Sequence, residues 1–95
     1  MRIIGLPELE AFKKRHADAR GVLDAWRAEV ESIKWENTAD IKARHRSADF
    51  LGNNRVIFNI KGNKYRLVVK VNYPGAIVLI EWVGTHAEYD RKIFS

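Results

Sequence analysis

Three side chains in the second half of this 95-residue sequence have types and spacing suited to chemistry: Arg66 in "KYRLVVK", and His86 and Tyr89 in "VGTHAEYD". Histidine exchanges protons near neutral pH, and a tyrosine hydroxyl can donate to a phosphate or orient a reacting group. His86 and Tyr89 are three residues apart, so one helical turn puts them on a common side. Thr85 and Glu88, interleaved with them, fit a capping box, with Thr85 as N-cap and Glu88 returning to it, a motif worth about 1 kcal/mol. The cap accounts for Thr85 and Glu88 and leaves His86 and Tyr89 unexplained. Such a pair more often packs than reacts, so its surroundings decide.

Those surroundings are set by a change of period at Arg55. In "RVIFNIKGNKYRLVVKVNYPGAIVLIEWVG" the dipeptides Gly62-Asn63 and Pro74-Gly75 mark turns and cut the segment into three strands of a β-meander. A turn at Gly62-Asn63 places Ile60 opposite Tyr65, Asn59 opposite Arg66 and Phe58 opposite Leu67. Val56, Phe58, Ile60, Tyr65, Leu67, Val69 and Val71 then share an apolar face. Val78, Ile80 and Trp82 join it if Pro74-Gly75 sets the second register, although a slip of one residue would exchange every side chain between faces. Arg55, Ile57, Asn59, Lys61, Lys64, Arg66, Val68 and Lys70 share the other face. Arg66, in mid-strand, either pairs with a carboxylate such as Glu81 on the next strand or awaits a phosphate.

The apolar face needs a cover, and the first half of the chain supplies helices. "MRIIG" reads as a short edge strand, and Pro7 suits a first helical turn. Leu9, Phe12 and His16 recur at helical spacing before a break near "HADARG". Val22, Trp26, Val30 and Ile33, widened by Leu23, mark the stripe of a second helix of three to four turns, with Asp18 in its N-cap region. "NTADIKARH" predicts a further short helix with Thr38 as cap and Asp40 in its first turn, followed by a polar loop, "RSADFLGNN".

Charge follows the same division. Residues 1–41 hold seven Lys/Arg against eight Asp/Glu, and residues 42–95 hold ten against four, so the basic character belongs to the second half of the chain. Between Arg55 and Asn72 there is no acid at all, a pattern suited to a polyanion such as RNA or DNA. Basic strands also keep small proteins in solution. The absence of cysteine removes disulfides, thiolate metal sites and thiol nucleophiles. The longest apolar run, Ala76 to Ile80, is far too short to span a membrane, and no signal-peptide core is present, so a cytoplasmic protein without a membrane partner is expected.

Several reaction classes lack their signatures. Glu81, Glu88 and Asp90 make no familiar metal-ligand spacing, no HExxH motif occurs, and neither a nucleophile elbow nor a glycine-rich phosphate loop is present. What suits the remaining residues is metal-free, cofactor-free phosphodiester cleavage, in which the 2′-OH of RNA attacks the adjacent phosphorus and cations stabilise the developing charge. A non-catalytic RNA- or DNA-binding module using the same basic face is the alternative. A third reading is an interaction protein for an acidic partner.

The segments "AWRAEVESIKWEN", "ADIKARHRSADFLGNN", "RVIFNIKGNKYRLVVKVNY" and "VGTHAEYD" agree in order and spacing with the HigB toxins of type II toxin–antitoxin modules, within the wider RelE-like superfamily. The chain resembles them over nearly its whole length. The resemblance implies one α+β, RelE-like toxin domain over residues 1–95. Its N-terminal strand and two helices pack on one face of an antiparallel sheet, and a short helix ends the chain. It also implies an mRNA endonuclease that acts with the ribosome and inhibits translation and growth, and a cognate HigA-type antitoxin carrying a helix-turn-helix domain. Arg66 corresponds to the strand arginine that supports transition-state charge. His86 corresponds to a basic residue beyond the last strand, and Tyr89 to a C-terminal aromatic. Where RelE has lysines on the preceding strand, this chain has Ile57 and Asn59, so the general base is not carried over. The resulting assignment makes His86 a proton-transfer group, Arg66 the phosphate stabiliser and Tyr89 an orienting group. Arg55, Asn59, Lys61, Lys64 and Lys70 are assigned to RNA binding.

Overall fold

The computed structural model describes residues 1–92. The chain runs β1 (Arg2–Ile4), α1 (Leu6–Arg15), a 3-10 turn (Ala17–Ala19), α2 (Arg20–Ser32), α3 (Thr38–Arg44), β2 (Asp49–Leu51), β3 (Arg55–Ile60), β4 (Tyr65–Asn72), β5 (Ile77–Thr85) and α4 (His86–Asp90). The fold is α+β, with the strands in one sheet of order β1-β5-β4-β3-β2.

That sheet is mixed rather than wholly antiparallel. The meander β2-β3-β4-β5 is antiparallel throughout, whereas β1 runs parallel to β5 in the register Arg2↔Ile77 to Ile4↔Leu79. The helices between β1 and the meander are what allow a parallel return. Gly5 makes the exit from β1 possible: its φ of +99° is the left-handed conformation, and a Cβ there would lie 3.0 Å from Ile80 Cβ.

One face of the sheet carries the core, as the alternation predicts. Val56, Phe58, Ile60, Tyr65, Leu67, Val69, Val71, Val78 and Ile80 are buried against Leu9 and Phe12 of α1, Leu23, Trp26 and Val30 of α2, and Ile41 of α3. Burying a side chain such as Leu23 stabilises the fold by about 1.5–3 kcal/mol. Leu23 rather than Val22 centres the α2 stripe; Val22 is 39% exposed.

Four local expectations are corrected. Asp18 does not cap α2, whose N-cap is Ala19 without a side-chain bond; the Asp18 carboxylate turns instead to Lys64 and Tyr65. Asn37 rather than Thr38 caps α3, its side chain accepting from Asp40 N at 3.1 Å. Part of the expected loop "RSADFLGNN" forms β2, because its backbone groups can pair with the edge of β3 in the register Asp49↔Ile57. The second hairpin starts in the expected register, with Val71↔Val78 and Val69↔Ile80, and then slips to Val68↔Trp82 and Leu67↔Val83. Glu81 is the extra residue of this β-bulge, and beyond it the faces exchange. Val83 takes the core position and Trp82 moves to the opposite face.

Candidate functional site

The first hairpin has the register read from the sequence, Asn59↔Arg66 and Ile60↔Tyr65, so Arg66 points away from the core. β4 carries Arg66 beside Gly84 of β5, and one residue further on Thr85 starts α4. Thr85 accepts from Glu88 N at 3.1 Å while Glu88 accepts from Thr85 N at 2.8 Å, completing the capping box. The Thr85 backbone N–H holds the Glu88 carboxyl below its ordinary value. His86 N also donates to Lys64 O at 3.1 Å, which fastens the helix start to the start of β4.

This anchoring brings the three sequence candidates together. Arg66 Nη2 lies 2.9 Å from His86 Nε2, and the guanidinium carbon lies 4.6 Å from the centre of the Tyr89 ring. No carboxylate neutralises Arg66 among the described residues, and its Nε is buried with no hydrogen-bond partner. Glu81, the acid offered by the sequence as its partner, bonds instead to Arg55 Nε at 2.7 Å. Because β4 lies between β3 and β5, that ion pair spans β4 on the outer face of the sheet. Val68 and Ile57 are buried although neither belongs to the helix-covered core. A guanidinium unneutralised by a carboxylate on such a face is suited to receiving an anion.

Trp82 and Asp90 complete the surroundings, and neither was singled out in the sequence as a site residue. The bulge at Glu81 puts Trp82 on the outer face, 5.9 Å from the Tyr89 ring centre. Its indole lies across Gly84: a Cβ on that glycine would meet Trp82 Cζ2 at 2.5 Å. Asp90 Oδ2 lies 3.3 Å from His86 Nδ1, one helical turn along. The i,i+4 spacing of His86 and Asp90 was the available signal for Asp90. For Trp82 there was none, since a bulge leaves no mark in the alternation.

The other basic candidates are more dispersed. Lys70 is exposed and pairs across the strands with Arg55, four positions along β4 from Arg66. Lys61 is exposed at the turn. Lys64 is drawn to the helical side by Asp18 at 2.5 Å, while Tyr65 donates to the same carboxylate at 2.7 Å. Lys64, then Tyr65, hold Asp18 at about 2 against an ordinary 3.8, and Asp18 raises Lys64 in return. Asn59 stands opposite Arg66, but its amide donates to Ser47 O at 2.9 Å. Among the described residues no cluster of three His, Cys, Asp or Glu side chains could hold a metal ion, and no helix is long and apolar enough to cross a membrane.

The arrangement can therefore bind an anion at Arg66 and move a proton at His86, against an aromatic wall of Tyr89 and Trp82. Comparison with known families gives a match over residues 19–92, to HigB_toxin, described as the RelE-like toxic component of a toxin-antitoxin system. No curated protein matches the chain. The matched span includes Arg66, His86, Tyr89 and the whole meander. On that match and on its α+β fold, this chain belongs to the HigB toxin family of RelE-like toxic components of toxin–antitoxin systems.

Proposed function

We propose that this toxin is an mRNA endonuclease of one domain, acting in the cytoplasm on ribosome-bound mRNA and restrained by a HigA-type helix-turn-helix antitoxin. The observation that carries the reading is the Arg66 guanidinium, unneutralised by any carboxylate among the described residues and bonded to His86 Nε2 at 2.9 Å. In the reaction the 2′-oxygen forms a bond to phosphorus, the bond from phosphorus to the 5′-oxygen breaks, and the products are a 2′,3′-cyclic phosphate and a 5′-OH. His86 Nε2 takes the proton leaving the 2′-OH, and the departing 5′-oxygen takes a proton from water. Arg66 stabilises the charge that develops on the phosphate oxygens. Tyr89 orients the guanidinium through its ring. Arg55, Asn59, Lys61, Lys64 and Lys70 carry the RNA backbone past this point; Lys61, Lys64 and Lys70 are exposed, and Lys64 must leave Asp18 to take part.

Induction of the protein followed by mapping of cellular mRNA 5′ ends tests the proposal. Growth arrest with new ends inside translated frames is expected. Unchanged growth and transcripts while folded protein accumulates would overturn it, and would favour a binding module on the same basic face.

A further inference from the structure

His86 has two ring nitrogens, and each meets a group with a fixed hydrogen-bonding sense. Nε2 lies 2.9 Å from Arg66 Nη2, and a guanidinium has donors only. At this contact Nε2 must present its lone pair, which places the ring proton on Nδ1. Nδ1 in turn lies 3.3 Å from Asp90 Oδ2, and an ionised carboxylate has acceptors only. The Arg66 contact requires this tautomer, and the Asp90 carboxylate at ion-pair distance from Nδ1 favours it. The two contacts arise independently, one from β4 and one from the helix that the Thr85–Glu88 capping box begins.

We propose that Asp90 is the positioning residue of this site, accepting from His86 Nδ1–H and so holding the Nε2 lone pair on the Arg66 side, where the 2′-OH beside the bound phosphate presents its proton. Asp90 stays out of reach of the reacting atoms and works through the ring, the relation a carboxylate bears to histidine in a hydrolytic triad. Its second effect comes after proton transfer. Once Nε2 has taken a proton, His86 is an imidazolium beside the Arg66 cation, and the Asp90 carboxylate on the far nitrogen offsets that repulsion. Glu88, on the same short helix, cannot substitute, because its carboxylate is committed to Thr85 N at 2.8 Å.

The consequence for rate rests on the endonuclease reading; the tautomer does not. The test is 15N NMR of histidine-labelled protein, with RNA cleavage measured on the same samples. Comparison with His86→Gln identifies the His86 signals among the three histidines. Wild type is expected to show a protonated Nδ1 and an unprotonated Nε2. Asp90→Ala is expected to shift the ring toward a mixture containing Nε2–H and to lower kcat about tenfold at unchanged KM, a part of a general base's full effect. Asp90→Glu should restore part of both. A wild-type ring protonated on Nε2, or a tautomer and kcat unmoved by Asp90→Ala, would overturn the proposal. Protein that cleaves no RNA yet loses the Nδ1–H tautomer in Asp90→Ala would instead overturn the endonuclease reading and leave the hold of Asp90 on the ring supported.

Discussion

The Arg66 guanidinium carbon lies 4.6 Å from the centre of the Tyr89 ring, so the cation sits over the aromatic face near the start of β4, the central strand of the sheet. Such a contact contributes about 0.5–1 kcal/mol at an exposed site. It restricts the guanidinium to orientations that also meet His86. Tyr89→Phe keeps the ring and is expected to retain most cleavage, whereas Tyr89→Ala frees Arg66 and should lower kcat about tenfold. Steady-state cleavage of an RNA substrate by both variants checks this. Equal losses in the two would place the function of Tyr89 in its hydroxyl rather than its ring.

Arg66→Ala removes the guanidinium that lies beside His86, placed to meet a phosphate. Loss of a preorganised charge partner of this kind typically costs about 100- to 1,000-fold in rate. Arg66 makes no carboxylate pair among the described residues, so little stability depends on it and Tm should scarcely change. Arg66→Lys retains the charge without the planar fork and should recover only part of the rate. Full cleavage by a folded Arg66→Ala protein would remove Arg66 from the mechanism.

His86→Gln retains a side-chain polar group near Arg66 but cannot act as the proton acceptor. The chemical step should slow by about 100-fold or more while RNA affinity changes little. Single-turnover cleavage, paired with binding of an RNA whose 2′-OH is blocked, separates the two quantities. An equal loss in both would make His86 a contact residue.

Much of this site was legible in the sequence because short-range rules determine it. The register Asn59↔Arg66 follows from one turn and one alternation, and the cap at Thr85 from a four-residue pattern. What the sequence concealed depends on tertiary choices between states of similar local energy. The bulge at Glu81 moves Trp82 across the sheet, and nothing in "IVLIEWVG" distinguishes that register from an unbroken one. Lys64 reads as a free cation at a turn until the fold brings Asp18, 46 residues away in sequence, beside it. The parallel pairing of β1 with β5 likewise depends on where the helices return the chain.

Gly84→Ala tests the wall beside Arg66. The added Cβ would lie 2.5 Å from Trp82 Cζ2, 2.7 Å from Cη2 and 3.0 Å from Glu88 Oε1, so the indole must swing off the strand and the capping box must yield. A destabilisation of about 1–3 kcal/mol is expected from this overpacking. The near-UV CD bands of tryptophan should also change. Denaturant unfolding measures the first effect, and an unaltered midpoint with unaltered CD would mean that Trp82 does not lie over Gly84.

Acid should dissolve the tie between the helical corner and the start of β4. Lys64, and then Tyr65, hold the Asp18 carboxyl at about 2 in the folded protein against an ordinary value of 3.8. A carboxyl whose pKa is depressed by folding contributes stability that is fully present above its unfolded value and is lost as pH falls through its folded one. The contribution of Asp18 should therefore be constant above pH 3.8 and fade as pH approaches about 2. Asp18→Asn lacks this titration, while the other carboxylates titrate in both proteins. The Tm difference between wild type and Asp18→Asn should be widest above that window and close within it. Thermal melts of the two proteins across the range decide the matter, and a difference that ignores pH would show that the Asp18 charge does not contribute through Lys64 and Tyr65.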